Sequence, residues 1–313
     1  MKPETLFLGI RFTQKSFYLI IHGKKMKNKN NFIIGTANIG QKYGIKNPNN
    51  LLLKKNAVPF IEEAIKLGFK SFDTARAYGN SELILGECIN NKKNIKIYTK
   101  IPAIIDNDPY SVEKSFLHSL KNLKKKKIQG LFLHNAQDWH KEYIKKISEK
   151  LLKLKYIKEF GLSIYDPCQI YNHQNINLIQ IPGSIFNQKM LKNKKIYKFH
   201  ANGGTVIVRS IFIQGIILND LKNLPMNLNS LKEPIEKFQL LAKKNDLLPD
   251  HLAIAVVKEL CPYAKIIIGC ENIQQLISLN LFSESIIDKS ILYSAIDLGQ
   301  KYYSKLWDPR FWL

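Results

Sequence analysis

Lys70-Ser-Phe-Asp-Thr-Ala-Arg-Ala-Tyr-Gly-Asn-Ser-Glu82, read with Tyr98-Thr99-Lys100 further on, organises the rest of the chain. Ser71 to Thr74 alternates polar and apolar side chains as a short strand does, and Ser81 opens a helical run. Asp73 therefore ends a strand, and Tyr78 sits in the loop beyond it. Lys100 ends a second strand-like run that starts at Ile95, and His134 closes a third, Leu131 to Leu133. Four ionisable side chains thus lie at or just past the C-terminal ends of three successive candidate strands. In a parallel α/β fold that is one place in space.

From Asn31 onward the same alternation continues. Candidate strands are Phe32 to Thr36, Ser71 to Thr74, Ile95 to Lys100, Gly130 to His134, Glu159 to Ile164, Leu178 to Ile181, Thr205 to Ser210 and Lys265 to Gly269. Helical patterns fall at Ala57 to Leu67, Ser81 to Ile89, Val112 to Leu123, Tyr143 to Leu154, briefly after Pro167, at Met190 to His200, at Glu236 to Ala242 and at Leu252 to Leu260. Strands and helices in this order predict parallel strands joined by right-handed crossovers, and eight such strands can close into a barrel. Periodicity alone does not choose a barrel over an open sheet. A doubly wound dinucleotide-binding sheet would carry Gly-x-Gly-x-x-Gly after its first strand, and Ile34-Gly-Thr-Ala-Asn-Ile-Gly40 lacks it. With 313 residues and 45% hydrophobic composition, one barrel domain from about residue 28 to residue 313 is expected, preceded by an extension over residues 1–27.

The four side chains suggest a chemistry. A phenol has an ordinary pKa of about 10, and a nearby ammonium favours its ionised form and pulls that value down. Asp73 would hold Lys100 charged and in place. His134 would hydrogen-bond a carbonyl oxygen while Tyr78 delivers a proton to the alkoxide that forms. That is the acid half of a carbonyl reduction. The other half is a hydride, which no side chain supplies, so a nicotinamide cofactor is required.

These residues carry a resemblance. Phe72-Asp73-Thr74-Ala75 followed by Tyr78-Gly79-Asn80-Ser81-Glu82, the strand-ending Lys100, and Leu133-His134-Asn135 resemble the aldo-keto reductase family, whose catalytic Asp, Tyr, Lys and His hold those motif positions. The likeness runs from about Phe32 to about Asn280 and includes Ile34-Gly35-Thr36-Ala37, Phe160-Gly161-Leu162-Ser163, Leu178-Ile-Gln180-Ile-Pro182, Val208-Arg209-Ser210 with Gln214-Gly215, and Ile268-Gly269 with Gln275-Leu276. Tyr43-Gly44 and the Arg209-Ser210 to Gln214-Gly215 pattern look most like the branch found among polysaccharide and nucleotide-sugar biosynthesis genes.

The resemblance implies a (β/α)8 barrel of the TIM type that holds NADP(H) or NAD(H) in extended form across the strand ends. Thr36 lies within its first motif and joins the cofactor-binding set. Ser163 and Gln180 match carboxamide-binding positions. Arg209 stands where the family places a flat side chain against the nicotinamide, and Arg can stack there. Ser210 would meet the pyrophosphate, and Gly269 to Gln275, a strand end running into a helix N-terminus, suits an anion. The chain departs from the family at Glu271-Asn272, where a basic residue is common, and at Ser278-Leu279, where a Glu-Asn pair usually meets the adenine. Ile164 replaces an Asn after Ser163. A carboxylate repels a 2′-phosphate but accepts a hydrogen bond from a 2′-hydroxyl, so Glu271 keeps NAD(H) open beside NADP(H).

The formal charge is +23, a field that attracts nucleic acid, acidic membrane surfaces or phosphorylated substrates. Lys and Asn are nevertheless scattered over nearly every surface-type segment, as AT-rich codon usage would scatter them, and no nucleic-acid stripe is expected. A sugar or phosphorylated carbonyl compound fits the field. Cys88, Cys168, Cys261 and Cys270 have no paired spacing for zinc or a redox dithiol, and no other spacing suggests a metal, so free buried thiols and a cytoplasmic location are expected. Leu6 to Ile21 is interrupted by Arg11 and Lys15, short of a spanning helix, and no cleavage motif follows it. Specificity would come from loops at Lys42 to Asn50, Pro102 to Asp108, Asn135 to His140, Gln214 to Glu233 and the tail Lys301 to Leu313, with Trp139, Trp307, Phe311 and Trp312 lining an apolar pocket or merely covering a barrel face. Monomer is the default. A non-catalytic nucleotide-binding barrel acting as a regulatory subunit is the alternative function.

Overall fold

A computed structural model of the protein describes residues 5–7, 10–12, 29–41, 54–104, 108–282 and 287–312. All eight predicted strands form: β1 (Phe32–Gly35), β2 (Ser71–Asp73), β3 (Lys96–Ile101), β4 (Ile128–Leu133), β5 (Ile157–Ser163), β6 (Leu178–Pro182), β7 (Thr205–Arg209) and β8 (Lys265–Gly269). Each pairs in parallel with the next and β8 pairs with β1, which closes the barrel. Between the strands run α1 (Lys54–Lys66), α2 (Ser81–Ile89), α3 (Pro109–Asn122), α4 (Glu142–Lys153), α5 (Lys194–Ala201), α6 (Lys232–Lys244) and α7 (Pro249–Leu260), followed after β8 by α8 (Ile273–Asn280) and α9 (Lys289–Lys301). Helix α5 begins later than its apolar pattern, because Asn193 caps it by accepting from Lys195 N. Thr5–Phe7 and Ile10–Phe12 pair as an antiparallel hairpin that the sequence reading left undefined, and most of the expected extension lies outside the described residues. No helix among the described residues is long and apolar enough to cross a membrane.

The strand period of two decides what each end of the barrel contains. Ile33, Tyr98, Phe132, Leu178, Ile207 and Ile267 form one small buried layer inside the barrel. Their sequence neighbours, such as Phe32, Ile34, Ile97, Leu131, Ile179 and Val208, belong to the larger core shared with the helices. Two residues beyond each inner-layer residue come Gly35, Lys100, His134, Gln180, Arg209 and Gly269. All six line the main cavity at the C-terminal end. Toward the opposite end lies a set of polar contacts: Lys265 Nζ donates to Tyr98 Oη at 3.1 Å, and Glu159 accepts from Thr205 Oγ1 at 2.5 Å and from Gln129 Nε2 at 2.8 Å. An apolar layer thus separates that polar floor from the site above.

The C-terminal residues cover part of the open end. Trp307 is 2% exposed, stacks on Phe186 with ring centroids 4.1 Å apart, and donates its indole N–H to Tyr302 O at 2.7 Å. Burying an aromatic side chain in this way contributes about 1.5–3 kcal/mol, enough to fix the tail over the barrel mouth.

Candidate active site

Asp73 and Lys100 end adjacent strands with their side chains inside the barrel, 5% and 1% exposed, and Lys100 Nζ donates to Asp73 Oδ2 at 2.6 Å and to Thr74 O at 3.0 Å. Gln180 Nε2 donates to the other carboxylate oxygen at 2.8 Å, so Asp73 is held from two strands. Lys100 Nζ lies 5.2 Å from the centre of the Tyr78 ring, and His134 meets that ring edge-on, with centroids 6.2 Å apart. Asp73, Tyr78, Lys100 and His134, drawn from three strand ends, share one wall of a cavity of about 480 Å³.

Two glycines place Tyr78. Gly79 has φ +53°, and a Cβ there would sit 2.2 Å from Gly40 O; a Cβ on Gly40 would sit 1.7 Å from Tyr78 O. The loop carrying Tyr78 therefore lies directly on the turn after β1. A side chain at Gly79 meets both a left-handed backbone and a backbone oxygen that cannot yield. Gly79→Ala is expected to destabilise the fold by about 1–3 kcal/mol in thermal unfolding. Gly203→Ala, at φ +89° but with nothing within 4 Å, should cost less because it carries the φ strain alone.

Electrostatics at the site differ from the expectation for Tyr78. Burial, reinforced by the Asp73 carboxylate, pushes its phenol well above the ordinary value, and Arg209 offsets this only in part. Tyr78 keeps its proton throughout the neutral range. Burial and the positive charges of Lys100 and Arg209 push the His134 imidazole down to about 4. His134 is therefore neutral at pH 7, a hydrogen-bond donor rather than a cation.

Of the residues expected at the cofactor, Ser163, Gln180, Arg209, Ser210, Gly269, Glu271 and Gln275 all line this cavity. Thr36 does not. It is fully buried behind Gly35, donates through Oγ1 to Asp73 O at 3.0 Å and accepts from Ser81 Oγ at 2.6 Å, so it braces the strand that carries Asp73, while Ala37 and Asn38 take the wall. Ile164 is buried in the outer core, its N–H donating to Gln180 O at 2.9 Å. Trp139 packs against Phe160 and His173 away from the cavity, Trp307 lines it, and Phe311 borders a neighbouring cleft. Trp312 donates its indole N–H to Leu306 O at 2.7 Å. Tyr43-Gly44 lies outside the described residues. Among the cysteines, Cys261 and Cys270 are buried as expected and Cys88 is half-buried, but Cys168 is exposed because it follows Pro167 in a surface turn.

The sequence reading did not single out Tyr165, Asn187, Asp308 or Arg310 on the cavity wall, although the last two lie in the tail it expected to shape specificity. Arg209 Cζ lies 4.3 Å and Arg310 Cζ 3.5 Å from the centre of the Tyr165 ring. Both guanidiniums are therefore in cation–π contact with the same ring. Arg310 is also forked onto Asp308, with contacts of 2.5 to 3.0 Å. Tyr165 follows Ser163 by the strand period of two, a signal the sequence does contain; Arg310 reaches the site only through the fold of the tail.

The sequence profile of the Aldo/keto reductase family matches residues 31–290, all eight barrel strands and the cavity lining except its C-terminal tail. The chain belongs to the aldo-keto reductase family. It is accordingly an NAD(P)-dependent oxidoreductase of carbonyl compounds. Two solved members share the fold at low identity. The glycerol dehydrogenase AKR11B4 from Gluconobacter oxydans is 19% identical, with 87% of this chain and 92% of that chain covered at a TM-score of 0.67. The aldo-keto reductase AKR11C1 from Bacillus halodurans, in its holo form, is 16% identical, with 97% of each chain covered at a TM-score of 0.68. No curated protein sequence matches the chain.

The cavity fits a nicotinamide dinucleotide by its own chemistry. Buried polar nitrogens on its wall, Arg209 Nη2 and Asn219 Nδ2, lack hydrogen-bond partners within the protein. Such atoms are satisfied by a polar ligand.

Proposed function

We propose that this aldo-keto reductase reduces an aldehyde or ketone to the alcohol with Tyr78 as general acid. When bound, the nicotinamide supplies the hydride that goes to the carbonyl carbon. Neutral His134 donates a hydrogen bond to the carbonyl oxygen and orients it, and Tyr78 gives its phenolic proton to the oxygen as the alkoxide develops. The phenolate left behind takes a proton back from water, with the Lys100 ammonium beside it to limit its cost. Asp73 fixes Lys100, and Gln180 fixes Asp73. Ser163, Gln180, Arg209 and Ser210 would hold the nicotinamide half, and Gly269, Glu271 and Gln275 the nucleotide half. The observation that carries this reading is the convergence of Tyr78, Lys100 and His134 on one cavity wall, with a buried carboxylate behind them.

On the side of the C-terminal tail the cavity lining includes the polar residues Ser184, Asn187, Asp308 and Arg310 beside Trp307 and Pro309. Such a wall favours a hydroxylated or anionic carbonyl compound, of sugar-like or phosphorylated character, over an apolar aldehyde. Comparing kcat/KM for a short hydroxyaldehyde, its phosphate ester and an alkyl aldehyde of equal length tests this. A preference for the alkyl compound contradicts it.

The state of His134 sets a pH dependence. Its conjugate acid forms only near pH 4 in the folded protein, against about 6.5 in an unfolded chain. kcat/KM for carbonyl reduction is expected to hold level from pH 8 down to about 5 and then fall as the imidazole protonates. The same group binds fewer protons folded than unfolded between about pH 4 and 6.5, so its contribution to stability is full above that window and is lost as pH falls through it. A kcat/KM break near 6.5 would mean that His134 is not held neutral.

A further inference from the structure

The lysines that the sequence spreads over many segments are gathered by the fold. Helices α1 to α4 return to β2, β3, β4 and β5 through four neighbouring turns at the end of the barrel opposite the cavity, residues 67–70, 90–95, 123–127 and 154–156. These turns hold Lys70, Lys92, Lys93, Lys124 to Lys127 and Lys155, and no Asp or Glu. All of these side chains are exposed except Lys125, which is half-buried, and exposed Lys96 and Lys153 adjoin them at the element ends. Hydrogen bonds join the four turns into one surface: Lys96 N donates to Lys70 O at 2.7 Å, Lys125 Nζ to Ile89 O at 2.7 Å and to Asn90 O and Lys92 O at 3.3 Å, and Ile128 N to Tyr156 O at 3.0 Å.

The cavity end is different. In the described loops there (residues 36–41, 74–80, 102–104, 108, 134–141, 164–177, 183–193, 210–231 and 270–272) five acidic side chains stand against five basic ones. The excess positive charge thus belongs to one face rather than to the whole surface. Like charges this close repel one another, and Lys124 and Lys155 also hold left-handed backbone, φ +50° and +58°, just past the ends of α3 and α4 where glycine is usual. An anionic partner offsets the repulsion.

We infer that this face docks on an anionic phospholipid surface and leaves the cavity mouth toward water. Lysines near such a surface bind it without directional pairing, at roughly fivefold in affinity for each. Leu154, 56% exposed between Lys153 and Lys155, supplies an aliphatic side chain for the headgroup boundary. A polynucleotide would be met by arginine forks and exposed aromatic rings. The four turns hold no Arg, Phe69 is buried, and Tyr156 packs edge-on against Phe116.

Sedimentation of the full chain with vesicles tests this, using phosphatidylcholine alone or with about one third phosphatidylserine, at about 0.05 M and about 0.5 M salt. Pelleting with the anionic vesicles only, lost in the higher salt, is the expected result. Lys124→Gly, Lys126→Gln, Lys127→Gln and Lys155→Gly combined should weaken partitioning by more than about 30-fold. Glycine suits both left-handed positions, so the thermal midpoint of this variant should not fall. A control removes as many charges across the barrel, with Lys192, Lys194, Lys195 and Lys198, in and just before α5, each changed to Gln; it should cost less than about threefold. Absence of pelleting with anionic vesicles in low salt overturns the inference. So does an equal loss in both variants, which would trace binding to the net +23 rather than to this face. Tighter binding to a mixed-sequence RNA at equal phosphate concentration overturns it in favour of nucleic acid.

Discussion

Tyr78→Phe is expected to lower kcat for carbonyl reduction by about 10²–10⁴-fold, the usual contribution of a positioned general acid, while the dinucleotide dissociation constant changes by less than about threefold. The substitution removes one oxygen and keeps the ring. The ring is what meets His134 edge-on and lies near Lys100, so the wall of the cavity keeps its shape. Loss of turnover with binding retained separates proton donation from packing. A variant that loses both would point to a displaced loop, and one that keeps turnover would remove Tyr78 from the chemistry.

The second large effect concerns the Asp73–Lys100 pair. Both side chains are almost fully buried, so removing one leaves the other charged in a low-dielectric interior. Asp73→Ala is expected to cost about 3–5 kcal/mol of stability in urea unfolding, and Lys100→Met a comparable amount. Asp73→Ala also strips Gln180 Nε2 of its acceptor. The double variant Asp73→Ala, Lys100→Met should recover much of the loss, because replacing a buried ion pair with apolar groups is often close to neutral. Turnover should not recover with it. Stability restored without activity identifies the pair as part of the proton-donating apparatus; activity restored with stability would reduce it to a structural bridge.

The barrel was legible because its strands obey the period of two and its helices the longer period, so all eight strands were placed to within a few residues. Closure was not legible from periodicity, which fits an open sheet equally well. The strand-end residues Asp73, Lys100, Gln180 and Arg209 were also readable, since a side chain two positions past an apolar inward residue must face the same interior. Thr36 was misplaced because its motif position says nothing of orientation: one residue past Gly35 it faces the opposite way, toward Ser81. The direction of the Tyr78 shift was hidden as well, because it depends on burial and on the nearby Asp73 carboxylate. Arg310 and Asp308 lie far along the chain from Tyr165, and the fold of the tail, with Trp307 stacked on Phe186, brings them to the site. The hairpin near the N-terminus gave no sequence signal, with two strands of only three residues each.

The most direct test of carbonyl reduction follows the hydride itself. The protein is mixed with nicotinamide dinucleotide, both forms in parallel, deuterated at the transferable C4 position, and with a panel of small hydroxyaldehydes, their phosphate esters and simple ketones. Mass spectrometry of the products then asks where the deuterium goes. Deuterium on the carbinol carbon of an alcohol product, with the signal lost in Tyr78→Phe, is the predicted result. Dinucleotide that binds while no panel member ever receives deuterium would contradict the account.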